Sequence, residues 1–402
     1  MQTIKLQFGR ATQWELSLEG PLQRWEQCEI KSPIDLVAAV RDALSKPIDF
    51  PSIEQAIVPG DRVAILVDPL LPQMSELVSA CVHYLIEHGV APDQLVVVLA
   101  SHEAEDVGLL RDALQKTSGA DIPIELHDAD DHSKVAYVAA NEESNPIYMN
   151  RTIVDADVVL PITCARGHST LDYMGAYSVF PLLTDRATRG EFYSLEKLDA
   201  ADEHAKLTAW ADQAAWWVGL LVVIQAVPGE NLKVATVIAG SPSAIETAVQ
   251  PLMEIGWQVN ASPSEIIIAL LEGGPSQQTW ENFARVLHTA RQLVTRGGSI
   301  VVCSELAKRP GRGLHKLQNV HSSPDEIARK LAHDAADDAL AASVILEATK
   351  YCHVYLVSHL KPEAVESLGM GAIQDAAQLE HLVNQHASCS VLGAAQHRFV
   401  AR

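Results

Sequence analysis

From Val58 onward, short apolar runs rich in β-branched residues alternate with longer stretches whose apolar residues recur at helical spacing. Arg62 to Val67 (RVAILV), Leu95 to Leu99 (LVVVL) and Ile153 to Leu160 (IVDADVVL) have the length and composition of buried strands. Between the first two, Ser75 to His88 carries apolar residues at helical intervals, and Gly89 is placed to end that helix. Strand, helix and strand with turn residues at each switch predict a largely parallel sheet covered by helices. Further on, WWVGLLVVIQAV, the Pro228-Gly229 turn and KVATVIAG predict two strands joined by a short connection, and Pro242 to Ile255 predicts a helix ended by Gly256.

The polar, proline-containing stretch Asn260 to Ser264 (NASPS) is the best linker candidate, because the alternation restarts behind it. Strands are expected at Ile266 to Leu271, Ser299 to Cys303 and His353 to Ser358. Helices are expected at Trp280 to Val294 and, with a break, at Pro324 to Ala348. The chain is therefore expected to form two α/β domains, residues 1–259 and 260–402, with the last residues free to return to the first. The first fifty residues, with KLQFG and WELSL, predict short strands and a loop. In such sheets, ligands bind beyond the carboxyl ends of the strands.

Composition narrows the function classes. A chain of 402 residues, 48% apolar and 20% charged, can bury two cores. A formal net charge of -21 repels polyanions, so neither nucleic acid nor an anionic membrane surface is an expected partner, and an anionic small molecule would need a local basic pocket. The six cysteines form no C-x-x-C pair, which suits reduced thiols rather than a disulfide framework or zinc cage. The opening MQTIKLQFGR has no charged-then-apolar leader, and the longest apolar run, Ala214 to Ile224, is too short to span a bilayer. A cytoplasmic protein is the expectation.

Three strand ends carry polar residues where a crevice would lie: Asp68 in DPLLP, His102 in ASHEAED, and Arg166 with His168 in RGHSTLDYMGAY. Histidine suits such a place because it exchanges a proton near neutral pH. Each residue also has a plainer reading: Asp68 as a turn former, His102 as a surface residue beside a helix start, His168 as a loop residue at a close backbone approach. His127 with Asp128 and Asp130 has the makings of a metal site, but an acidic solvated loop explains it more simply. Gly273 and Gly274 in EGGPSQQTW would admit an anion to a helix N-terminus or simply make a tight turn. KRPGRG, Lys308 to Gly313, is the one basic cluster, either a loop over the crevice or a solvated one. No H-E-x-x-H, P-loop or G-x-G-x-x-G motif occurs.

Taken in order, VAILVDPLLP, VVVLASHEAED, ELHDADD, NPIYMNRTIVDADVVLP, RGHSTLDYMGAY, VATVIAG, EGGPSQQTW, RGGSIVVCSEL and CHVYLVSHL resemble the nickel-dependent lactate racemase family, from about Val58 to about Gln396. The resemblance implies two α/β domains with the active site in the cleft between them. It also implies a nickel pincer nucleotide as cofactor and racemisation or epimerisation of small 2-hydroxy acids, which makes the expected class an isomerase. His102 and His168 match the family's acid/base pair. Asp68, Gly273 and Gly274 are expected to contact the cofactor and Arg166 the substrate, and no metal ligand is assigned. The chain departs from the pattern at three places: Leu71 replaces the arginine of D-x-x-R-P, Ala176, Tyr177 and Ser178 stand where G-G-R-K carries the tethering lysine, and no histidine lies between Val179 and Glu203. Lys197 and His204 are the nearest residues of those types. Two alternatives therefore stand beside the racemase expectation: a nickel-free enzyme using the histidines for other proton transfers, and a binder of a nucleotide or organic acid.

Overall fold

A computed structural model describes the chain except residues 1, 26–27, 29, 31–34, 101–103, 141–145, 178–179, 193, 319–321 and 402, and the side chains of 104 and 105. Its strands, in chain order, begin with β1 (Gln2–Phe8), β2 (Thr12–Leu18), β3 (Leu22–Trp25), β4 (Val63–Val67), β5 (Leu95–Leu99) and β6 (Ile124–Leu126). Next come β7 (Val135–Ala140), β8 (Pro146–Asn150), β9 (Val158–Cys164), β10 (Val223–Pro228), β11 (Val234–Gly240) and β12 (Gln258–Val259). The last six are β13 (Ser264–Leu270), β14 (Val294–Cys303), β15 (His353–Val357), β16 (Gly371–Ile373), β17 (Cys389–Leu392) and β18 (Phe399–Val400).

Two six-stranded sheets organise the molecule, in the orders β11-β10-β9-β4-β5-β6 and β16-β15-β14-β13-β17-β3. Every pairing in them is parallel except β10 with β11. The central strand β4 is buried at all five positions, as its uninterrupted apolar sequence requires when helices cover both faces. Its larger side chains each contribute about 1.5–3 kcal/mol by leaving water. Thr279 begins the helix Trp280–Leu293 by accepting a hydrogen bond from Asn282 N at 3.2 Å, and Ser323 does the same for Pro324–Asp334. The expected break in the long helical stretch is real: Pro324–Asp334 and Ala339–Tyr351 are separate helices.

The structure corrects three expectations. Trp216 and Trp217 end the helix Ala201–Trp217 instead of starting a strand; Gly219, at φ 72°, turns the chain before β10. The strand expected at Ile153 to Leu160 is displaced to β9, because Asn150 caps the short helix Arg151–Val154. The first 25 residues side with the second domain rather than the first. β3 is the edge strand beside β17, and the β1–β2 hairpin lays Ile4, Leu6, Phe8 and Leu16 on Ile266, Ile268 and Val301. The chain end returns to the boundary region, where β18 pairs with β12.

One apolar cluster runs through both domains, from Leu66 and Val98 to Ile267, Phe283 and Ile345. Polar bonds cross the same junction: Asp199 accepts from His288 at 3.0 Å and from Arg291 at 2.9 Å, and Arg189 pairs with Asp337 at 3.0 Å. All six cysteines are buried and none forms a disulfide. Among the described residues, no helix is long and apolar enough to cross a membrane.

Candidate anion-binding cleft

The carboxyl ends of β4 and β9 are tied together by Asp68. Its fully buried carboxylate accepts from Leu70 N at 2.9 Å, Cys164 N at 3.1 Å and Arg166 Nη2 at 2.8 Å. Burial pulls the Arg166 pKa down, but the Asp68 and Asp172 carboxylates overturn that and raise it. Arg166 Nε is buried with no acceptor among the described residues. Asp68 and Arg166 thus brace the loop behind β9 and are absent from the cleft lining.

That loop is clamped along its length. Gln250 donates to Arg166 O at 2.9 Å and accepts from His168 N at 3.2 Å, and Ser169 Oγ donates to Val400 O. Gly167 is required by close approach, since a Cβ there would lie 2.4 Å from the Phe399 ring. Further on, Asp172 reaches across the domain junction to a two-pronged ion pair with Arg285, Nε to Oδ1 at 2.8 Å and Nη2 to Oδ2. Burial would raise the Asp172 pKa; Arg285 outweighs it and holds the carboxyl well below its usual range. Arg285 Nη1 donates to Asn282 Oδ1 at 2.6 Å.

Asp172, Asn282 and Arg285 line a cavity of about 320 Å³ between the domains. Arg186, Arg189 and Lys308 line its other walls, with the carboxylates of Asp128, Asp130, Glu281 and Asp337 and the hydroxyls of Ser276 and Thr279. A second cavity of about 230 Å³ shares Pro69, Leu70 and Ser276 with it and reaches Leu71, Gly273 and His397. The three arginines are paired, Arg186 with Asp130, Arg189 with Asp337 and Arg285 with Asp172. Lys308 has no ion pair among the described residues, and its backbone oxygen is fixed by Trp280 Nε1 at 2.9 Å. The size of such a cavity suits a small polar molecule.

Of the two histidines of the acid/base expectation, only His168 is among the described residues. His102 lies outside the described residues. His168 leaves 56% of its side chain exposed, bonds Glu246 Oε1 through Nε2 at 3.0 Å, packs edge-on against Tyr173 and does not line the cleft. The bond from His168, and secondly that from Tyr173, lower the Glu246 pKa against burial. On the cleft wall stands His127, whose Nε2 bonds Thr184 O at 2.8 Å; its pKa is lowered, chiefly by burial. His397, in the adjoining cavity, is pushed down to about 3 by burial and by Arg166, Arg285 and Arg398. Both stay neutral at pH 7. Gly273, at φ 98°, donates its amide to Gly9 O at 2.9 Å, so that N–H is not offered to a ligand; Gly274 begins only a three-residue turn. Among the described residues, none of the expected site residues stands on the wall of the 320 Å³ cavity. It gathers instead residues whose partners are far apart in sequence.

The residues present do not fit a nickel pincer nucleotide. Leu71 is 4% exposed and packs in the apolar cluster under the first sheet. Ala176 and Tyr177 are buried in apolar surroundings, and Ser178 lies outside the described residues. Lys197 is held by Glu191 at 2.6 Å, and His204, buried, bonds Tyr173 O at 2.6 Å. Among the described residues no three of histidine, cysteine, aspartate and glutamate are grouped to hold a metal ion.

Residues 11–191 match the family described as lactate racemase N-terminal domain. No curated protein sequence matches the chain. Among solved structures, the lactate racemase apoprotein from Thermoanaerobacterium thermosaccharolyticum superposes with a TM-score of 0.77 at 15% identity, covering 100% of both chains. A structural-genomics protein from Thermotoga maritima gives 0.69 at 12% identity, covering 94% of this chain and 100% of the other. The chain is thus similar to the lactate racemase N-terminal domain over residues 11–191 and shares the fold of a lactate racemase apoprotein over its whole length.

Proposed function

We propose that this lactate racemase-like protein binds a small carboxylate-bearing organic acid, of the size of a 2-hydroxy acid, in its interdomain cleft, and does so without the nickel pincer chemistry of its family. The observation that carries the reading is the cleft wall itself. Four cationic side chains, the five carboxylates of Asp128, Asp130, Asp172, Glu281 and Asp337 and two hydroxyls surround a cavity of about 320 Å³, so most of the donors it offers a carboxylate come from ion pairs already in place. Arg189 adds a donor, since its buried Nε–H has no acceptor among the described residues. The departure from pincer chemistry rests on Leu71, which lies in apolar packing where an arginine would be a buried charge. The test is calorimetric titration of the full chain with D-lactate, L-lactate and L-malate. Saturable binding of one of them at one site per chain is expected; no heat with any of them overturns the reading.

The isomerase reading keeps one supporting observation, that the matched domain includes both His102 and His168. It requires the loop behind β9 to turn His168 away from Glu246 and into the cleft. Interconversion of D- and L-lactate by protein coexpressed with the pincer-synthesis enzymes, abolished by His168→Gln, is the outcome it predicts.

A further inference from the structure

We infer that Arg186 and Arg189 of the first domain and the elbow of residues 335–337 in the second form a strap across the mouth of the 320 Å³ cleft, and that the cleft opens by breaking it. The inference goes beyond the binding reading and holds whatever the cleft takes. Asp130 and Asp337 line the cavity with side chains 59% and 64% exposed, whereas those of Arg186 and Arg189 are 21% and 14% exposed. The carboxylates therefore stand at the mouth, with the guanidiniums behind them. Arg186, paired with Asp130 inside its own domain, donates Nη1–H to Ala335 O at 3.0 Å and lies 3.7 Å from Asp337 Oδ1. Arg189 donates to Leu182 O at 2.6 Å and to Asp337 Oδ1 at 3.0 Å. Behind the elbow, Asp338 accepts from Gly313 N at 2.8 Å, so residues 335–337 travel with the second domain.

The strap is built to give way. Its carboxylates face water, where solvent and salt screen an ion pair. Ala335 has φ 43°, the left-handed region that an L side chain disfavours and that glycine usually fills at a helix end. The bond from Arg186 to Ala335 O thus holds the elbow in a shape its sequence does not favour. The fit is close, since a Cβ on Gly190, in the helix Arg186–Phe192, would lie 2.5 Å from that of Ala335. On the far side of the strap, Arg189, Gly190, Ala335 and Ala336 line a separate cavity of about 620 Å³. Arg189 stands on both walls, so parting the strap joins the two spaces.

The test is thiol labelling of Ala129→Cys by a bulky fluorescent maleimide, with no ligand present. Ala129 is a buried residue on the cleft wall, and the chain's own cysteines are all buried. Adding Asp337→Asn is expected to speed labelling about 5-fold, the upper range for loss of a screened ion pair. Gly190→Ala, which improves helix propensity, is expected to speed it as well by wedging the elbow away. Salt should act in the same direction, and less in the Asp337→Asn background. Equal rates with and without Asp337→Asn overturn the inference. So does acceleration accompanied by labelling of the fully buried Cys164, which would mean general loosening. Should Ala129→Cys not fold, hydrogen exchange of wild type and Asp337→Asn decides: faster exchange confined to residues 186–192 and 335–338 supports the strap, and unchanged exchange there overturns it.

Discussion

The buried pair Asp172–Arg285 is where the account is most exposed to a stability measurement. Replacing Asp172 by Asn keeps the shape and removes the charge, leaving the Arg285 guanidinium buried with Asn282 Oδ1 as its remaining acceptor. Two unit charges about 4 Å apart interact by about 4 kcal/mol at an effective dielectric of about 20. Breaking one side of a buried pair typically costs about 3–5 kcal/mol. Guanidinium unfolding should therefore shift to a lower midpoint by roughly 0.6–1 M, taking a slope on the order of 5 kcal/mol/M for a chain of this size. Removing both charges in Asp172→Asn/Arg285→Met should recover most of the loss, because no charge is then left unpaired. The pH dependence has a definite sign. The carboxyl of Asp172 has a folded pKa below its unfolded one, near 3.9, so its contribution is complete above that value and is lost as pH falls below it. Wild type should lose stability there more steeply than Asp172→Asn. A single variant within about 0.5 kcal/mol of wild type, the spread of ordinary surface changes, would refute the reasoning.

Other expectations follow from the same contacts. Leu71→Arg, which restores the residue of the family pattern, should destabilise by more than about 3 kcal/mol because it buries an unpaired charge in the cluster around β4; a thermal midpoint equal to wild type would mean that Leu71 does not pack there. Asp68→Asn should cost about 3 kcal/mol or more by stranding Arg166, measured by the same unfolding titration, and a neutral result would remove the brace from the account. His168→Gln should change stability by less than about 1 kcal/mol, since its bond to Glu246 is exposed, and should leave carboxylate binding by calorimetry unaltered; a lost affinity would bring His168 into the cleft.

The sequence announces the parallel sheets because β4 and β5 are apolar at every position, a pattern that half-exposed strands do not show. It misleads where an apolar run straddles two elements: Ala214 to Ile224 holds a helix end, a glycine turn and a strand start, and composition alone does not divide them. The placement of β3 beside β17 has no local mark, since pairing between residues so distant in sequence is decided by the assembled sheet. The same reason hides most of the cleft. Asp172 and Arg285 are 113 residues apart, and Asn282 shows itself as part of a site only when Arg285 lies against it. Lys308 is different, because its basic cluster stands out in an acidic chain; the bond from Trp280 that holds its backbone is not revealed by the sequence. His168 stands at the expected strand end, but its direction is set by Glu246, 78 residues away.

The most direct test of the central claim is the nickel and nucleotide content of the full chain coexpressed with the pincer-synthesis enzymes in nickel-supplemented medium, read by metal analysis and intact-mass spectrometry. The account predicts no stoichiometric nickel and an unmodified mass, because Leu71 lies in apolar packing and no group of metal-ligating side chains is found among the described residues. Nickel near one per chain, with a nucleotide retained or released on denaturation, would contradict it.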